Sequence, residues 1–183
     1  MRITIGGIPG AGKTTVAKIL AKKFNLKYYY MGGIIRKMAE ERGMDLLEFY
    51  KLGNDSDFID KMIDDYQKKL GEREDNFIIE GRTSFYFIPN SFKIYLKVSF
   101  EEAAKRIYND KSKRNEKKYS SVQETLESIK ERIETEKLHY KKYYGFDCHD
   151  TKHYDFVLDT TNLSINDVVS ILSKKIEEHF KKG

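Results

Sequence analysis

The chain has a single cysteine, Cys148, and only two prolines among its 183 residues. One thiol cannot build a disulfide framework, which points to a reducing compartment and to a cytoplasmic protein. No apolar run approaches the length that spans a bilayer, so a transmembrane helix is excluded and no membrane partner is expected. A secretory leader is not expected either, because a glycine-rich motif already begins at Gly7. Internal repeats, low-complexity stretches and a linker-like boundary are all lacking, so residues 1–183 read as one domain, large enough to bury a proper core. Acidic residues are outnumbered, 29 against 34 Lys+Arg, for a net charge of +5. That mild excess suits a protein that handles small polyanions and does not by itself require nucleic acid.

What is present is concentrated at the start, in MRITIGGIPGAGKTT. Ile3 and Ile5 alternate with polar residues in a short run of β-formers. Gly7, Ile8, Pro9, Gly10, Ala11, Gly12, Lys13 and Thr14 then match G-x-x-x-x-G-K-[ST], and Val16, Ala17, Ile19, Leu20 and Phe24 follow at helical spacing. Strand, glycine turn and helix form the context that phosphate binding requires. Glycines let consecutive N–H groups converge on an anion, and the helix N-terminus adds its partial positive charge behind them. The pattern makes Gly7 through Thr15 a triphosphate-binding loop, with Lys13 reaching the β/γ-phosphates and the Thr14 hydroxyl holding Mg²⁺.

Beyond the loop, strands alternate with helices, as in a parallel sheet covered on both faces. Strands are expected at residues 27–30, 77–79, 92–98 and 155–158. Helices are expected at 32–43, 45–52 and 57–70, the last stopped by Gly71. S-x-x-E spacing at Ser99 and at Ser121 predicts two capping boxes, and Ser164 to Asp167 opens the last helix. The long helix after Ser121 should end at Gly145. Phe77, Ile78 and Ile79 form a buried run that delivers Glu80, Gly81 and Arg82 at its carboxyl end.

A triphosphate loop leaves the reaction open. No N-K-x-D stretch exists to read guanine, which argues against a GTPase, and the length leaves no room for the modules of a motor. Arg36, Arg82, Arg106, Arg114 and Arg132 supply planar forks suited to phosphate oxygens. With these residues in view, the chain resembles the nucleoside monophosphate kinases, and is most similar to the archaeal-type cytidylate kinases. The opening stretch, MGGIIRKMAEERGMDLLEF, IDKMID, IIEGR and YGFDCHDTKHYDFVLDTTNLS carry the resemblance.

The resemblance implies a P-loop kinase fold, α/β, with a five-stranded parallel sheet flanked by helices. It places a core at about 1–31, 74–108 and 133–183, a monophosphate-binding insertion at about 32–73 and a lid at about 109–132. It implies ATP and Mg²⁺ as cofactors, CMP or dCMP as acceptor, and a monomer. Arg36 and Arg82 would grip the acceptor phosphate, and Asp60 and Asp64 would face the acceptor base. Glu80 would stand beside Mg²⁺ through its water shell. Arg106, Arg114 and Arg132 would belong to the lid, with Lys13, Arg82, Arg106 and Arg132 serving transfer.

Blander readings remain open beside these. Arg36 and Arg132 suit a solvated helix face, and Asp60 and Asp64, four apart, suit ordinary helix charges. Cys148, His149 and His153 cluster but lack a zinc-site partner pair, so they read as a surface turn. Another small-molecule kinase is one alternative. The other is an ATP-dependent switch on RNA or a ribosomal particle, since residues 105–118 carry seven Lys/Arg against two acids.

Overall fold

The computed structural model describes residues 1–44, 56–110 and 119–181. The helix expected at 45–52, Arg114 and the rest of residues 111–118 lie outside the described residues. Five strands, β1 (Arg2–Gly7), β2 (Lys27–Tyr30), β3 (Phe77–Glu80), β4 (Phe92–Lys97) and β5 (Phe156–Asp159), form one parallel sheet in the order β2-β3-β1-β4-β5. Around it run α1 (Lys13–Lys23), α2 (Met31–Glu40), α3 (Ser56–Arg73), α4 (Ser84–Phe87), α5 (Phe100–Tyr108), α6 (Val122–Tyr144) and α7 (Ile165–Lys181).

β1 is the central strand. Ile3 pairs with Ile78 of β3 on one side and Phe92 of β4 on the other. Its alternation of apolar and polar residues does not mark a wet face, because both faces are covered. Ile3 and Ile5 join Ile78, Ile94 and Leu96 under α1, α6 and α7, through Val16, Leu20, Ile129, Ile133, Leu172 and Ile176. On the opposite face, Phe77 and Ile79 pack with Met31, Leu70 and Ile88, while Tyr95 packs with Phe85, Cys148 and Tyr154. Thr4 is buried there, and its hydroxyl is satisfied by Ser91 at 3.1 Å.

The caps follow the sequence signals in part. Ser99 Oγ accepts from the Glu102 N–H at 3.2 Å, and Ser121 Oγ from the Glu124 N–H at 3.1 Å. Neither glutamate closes its box: Glu102 turns to Arg106, and Glu124 accepts from Ser120. The last helix has the full reciprocal pair, Asp167 N–H to Ser164 Oγ at 3.2 Å and Ser164 N–H to Asp167 Oδ2 at 3.1 Å. Gly145 ends α6 in the left-handed region, as expected.

Two helices depart from their expected bounds. α2 begins at Met31, directly after β2, and ends at Glu40. α3 runs through Gly71 to Arg73. A mid-helix glycine costs only about 1 kcal/mol relative to alanine, and here a Cβ would sit 3.3 Å from the Ile88 side chain, so its absence lets the helix seat closely.

In a parallel sheet all carboxyl ends share one edge. Gly7, Tyr30, Glu80 and Lys97 therefore emerge together, with β1 between strands that lead away to either side. That edge is where ligands bind in such sheets.

Candidate functional site

The loop after β1 is shaped by close approach to its neighbours. Gly7 has φ of 141°, and a Cβ there would lie 2.3 Å from the Leu96 carbonyl oxygen. Gly10 has φ of 82° and faces the Ala103 backbone at 2.9 Å. No side chain but hydrogen fits either position. The Ile8 N–H donates to the Leu96 carbonyl at 3.1 Å, and the Thr160 hydroxyl donates to the Lys97 carbonyl at 2.9 Å beside Ala11. Gly12 precedes α1 with no side-chain cap, and the first turn holds no acid to compete with an anion.

Lys13 Nζ donates to the carbonyls of Gly7 and Ile8 at 2.8 and 2.9 Å. Desolvation, and then the Arg82 charge, pulls its ammonium down to about 8 against the opposing pull of Glu80. The Thr14 hydroxyl donates to Glu80 Oε1 at 2.8 Å, and the Tyr28 hydroxyl holds Oε2 at 3.0 Å. Burial and Glu80 both push the Tyr28 phenol upward, so it stays a donor. A hydroxyl and a carboxylate side by side are hard oxygen donors of the kind Mg²⁺ takes, so the residues fit that ion.

Across the cleft, Arg82 leaves the end of β3 and meets α6. Its Nε lies 2.6 Å from Glu136 Oε1, and Arg132 Nε lies 2.9 Å from the same oxygen. Glu136 Oε2 lies 3.1 Å from His149 Nε2, and His149 Nδ1 lies 2.8 Å from the Tyr95 hydroxyl. Burial would push the Glu136 carboxyl up. The charge of Arg82, with the His149 and Arg82 hydrogen bonds and Arg132, holds it well below the usual carboxylate range. Glu136 was not legible as a site residue; the only local signal is its spacing one turn beyond Arg132.

The turn that carries Arg82 is braced from α3. Buried Gln67 donates to the Thr83 hydroxyl at 3.0 Å and accepts from the Ser84 hydroxyl at 2.6 Å. Asp64, one helical turn earlier, is buried and accepts from the Tyr144 hydroxyl at 2.7 Å. Burial raises its carboxyl to about 6, against that hydrogen bond. Asp60 Oδ2 lies 2.7 Å from His139 Nε2. Arg36 Nη1 donates to the Tyr30 hydroxyl at 2.6 Å.

One cleft of about 1110 Å³ gathers these groups. Lys13, Thr14, Thr15, Arg36, Asp60, Asp64, Glu80, Arg82, Arg106 and Arg132 all line it. Arg106 sits in it differently from the place the resemblance gives it. It lies on α5, with its guanidinium on Glu102 and on the carbonyls of Thr160 and Thr161 at 2.8 and 3.1 Å, against the end of β5. Arg132 lies in the first half of α6.

The Cys148 and His149 segment is not the surface turn expected from sequence. Cys148 is buried under Tyr95 and Tyr154, and burial pushes its thiol up to about 12. Glu136, Cys148 and His149 offer atoms within 4.8 Å of one another. A cation does not suit that cluster, because two guanidiniums already hold the carboxylate and the thiol keeps its proton.

Residues 2–162 match the model of the cytidylate kinase-like family. Named cytidylate kinases from archaea are similar over nearly the whole chain. That of Methanopyrus kandleri is 39% identical, covering 96% of this chain and 92% of its own. That of Methanocaldococcus jannaschii is 38% identical, covering 97% and 98%. Among solved structures, shikimate kinase from Bacteroides thetaiotaomicron superposes with a TM-score of 0.70 at 18% identity, covering 97% of this chain and 98% of its own. Shikimate kinase from Aquifex aeolicus gives 0.62 at 16% identity over all of both chains, which speaks to the fold alone. By the match over residues 2–162 and these near-full-length relatives, the chain belongs to the cytidylate kinase-like family.

Proposed function

We propose that this chain is an ATP-dependent nucleoside monophosphate kinase that transfers the γ-phosphoryl of ATP to CMP or dCMP, giving CDP or dCDP and ADP. One observation carries the reading beyond family membership. A triphosphate loop and a second set of arginines, Arg82 and Arg132, line the same cleft from separate elements. A switch that only bound ATP would need no second phosphate clamp, so this arrangement favours transfer over the RNA-binding alternative.

The chemistry asks mainly for placement. The acceptor is a phosphate monoester whose second pKa is about 6, so it is already mostly a dianion at neutral pH. No general base is needed. The loop N–H groups and Lys13 hold the donor phosphates, while Arg82 and Arg36 hold the acceptor phosphate. Thr14 and Glu80 would hold Mg²⁺, which neutralises charge on the triphosphate when bound. In-line placement supplies roughly 7–11 kcal/mol, and an arginine on the phosphoryl in transit adds on the order of 10³ in rate. Arg106, set against Thr160 and Thr161, belongs to the donor side of the cleft. Asp60 and Asp64 face the acceptor base, where a carboxylate accepts from an exocyclic amine such as the N4 of cytosine.

The reading also holds the protein to be a cytoplasmic monomer; among the described residues no helix is long and apolar enough to cross a membrane. The test is ADP release from ATP with CMP, dCMP, UMP, AMP and GMP in turn. CMP and dCMP should be the preferred acceptors. Equal or better turnover of a purine monophosphate would move the acceptor, and turnover of none would remove the reading.

A further inference from the structure

Arg82 and Arg132 come from different parts of the fold, yet both end on one atom. Arg82 follows β3, and Arg132 lies on α6. Arg132 donates its Nε–H to Glu136 Oε1 at 2.9 Å, and the Arg82 Nε forms an ion pair with the same oxygen at 2.6 Å. A guanidinium has five N–H donors in a planar fork. Contact at Nε engages one edge of each fork, and both arginines line the cleft, where their terminal nitrogens can meet a phosphate.

We propose that Glu136 is a positioning residue of the transfer reaction: through one carboxylate oxygen it sets the spacing at which Arg82 and Arg132 present their terminal nitrogens to the acceptor phosphate and to the phosphoryl in transit. The proposal rests on the kinase reading above and assigns a part to a residue that is not among those lining the cleft.

Three observations set this apart from an ordinary ion pair. Glu136 is 13% exposed while Arg132 is 46% exposed, so the anchor lies deep and one of the groups it holds reaches solvent. Its second oxygen is fixed independently through His149 to Tyr95 of the buried strand β4. The carboxylate is thus tied to the sheet and not only to its own helix. Finally, both arginines line the cleft with Lys13, Arg36 and Arg106, so five cationic side chains of the described residues converge on it. Two guanidiniums sharing one oxygen repel each other, and without the carboxylate the incoming phosphate would have to gather them itself. Fixing them beforehand removes that reorganisation from the reaction step.

Glu136 carries a negative charge close to an anion site, so its loss has a distinctive signature. Binding of the acceptor keeps its electrostatic attraction, whereas alignment is lost. Glu136→Gln should lower kcat by about ten- to a hundredfold, the scale of a small misplacement, with KM for ATP and for CMP each within about threefold of wild type. Arg82→Ala, in contrast, should raise the acceptor KM as well as lower kcat. Glu134→Gln on the same helix, an exposed partner of Lys137, serves as the control and should change neither constant. A kcat for Glu136→Gln within twofold of wild type, in protein that a melting curve shows to be folded, overturns the proposal. If glutamine at this position costs the fold, Glu136→Asp decides on the same terms, because it keeps the charge but cannot span both arginines.

A crystal structure of Glu136→Gln separates this proposal from the kinase reading. Displacement of the Arg82 and Arg132 head groups by more than about 0.5 Å supports it, and both heads unmoved overturns it, whichever monophosphate the enzyme accepts.

Discussion

The Thr14 hydroxyl donates to the Glu80 carboxylate across 2.8 Å, joining the first turn of α1 to the carboxyl end of β3. The two residues stand 66 apart in the chain. Pairing of β1 with β3 brings them together, because Ile5 and Glu80 share a register position and α1 starts just beyond the loop that β1 feeds. Tyr28 on β2 then fixes the other carboxylate oxygen. Three neighbouring elements therefore converge on one oxygen-rich corner of the cleft, next to Lys13.

Lys13→Ala tests the donor half. Among the described residues the ammonium hydrogen-bonds to two loop carbonyls and to no side chain, so the fold should survive. Turnover should fall by on the order of 10²–10³, the usual cost of removing one cationic or hydrogen-bonding contact to a developing charge. ADP release and a melting curve on the same preparation check both halves, and near-normal turnover would contradict the assignment.

Arg82→Ala tests the acceptor half. Steady-state kinetics should show a higher acceptor KM and a lower kcat. The substitution also leaves Glu136 without its shorter ion pair. Because about a third of the Arg82 side chain faces solvent, the expected loss is about 1–2 kcal/mol, less than for a fully buried pair. Unchanged KM and kcat would make Arg82 a structural residue only.

Asp64 links stability to pH. Its carboxyl is raised to about 6 in the folded protein, from an ordinary value of 3.8. Between those values the folded state binds more protons than the unfolded state, so this group's contribution to stability falls as pH rises from about 4 through 6. Asp64→Asn keeps an oxygen for the Tyr144 hydroxyl and removes the buried charge. The variant should be more stable than wild type by about 1 kcal/mol at pH 7.5, after allowance for partial solvation, and the gap should close below pH 4. Urea unfolding at both pH values reads this directly, and a gap independent of pH would exclude Asp64 as its source.

Gln67→Leu probes the support of the Arg82 turn. The substitution strands the buried hydroxyls of Thr83 and Ser84, at about 1–3 kcal/mol. Since that turn carries Arg82, the acceptor KM should rise while the KM for ATP holds. Equal shifts in both constants would point to general loosening instead.

Much of the scaffold was readable from local pattern. The run from Arg2 to Lys23 declares strand, loop and helix by itself, because a glycine turn between a β-former run and a 3.6-residue period has few other solutions. The caps at Ser99, Ser121 and Ser164 and the stop at Gly145 were equally local, each set by groups within one helical turn. Gly71 misled for the same reason: glycine reads as a stop until a packing partner, here Ile88, makes its missing side chain an advantage.

The sequence by itself therefore determined the strand and helix periodicity, the triphosphate loop and the residue types that could meet a second phosphate. Only the tertiary structure decided what holds those residues. Glu136 under Arg82 and Arg132, Tyr144 on Asp64, His139 on Asp60 and His149 between Glu136 and Tyr95 all depend on where α6 and the segment after it return over the sheet. Local periodicity encodes which face of a helix is apolar. It does not encode which distant carboxylate a guanidinium will find, because that pairing is fixed by packing and desolvation across the assembled cleft.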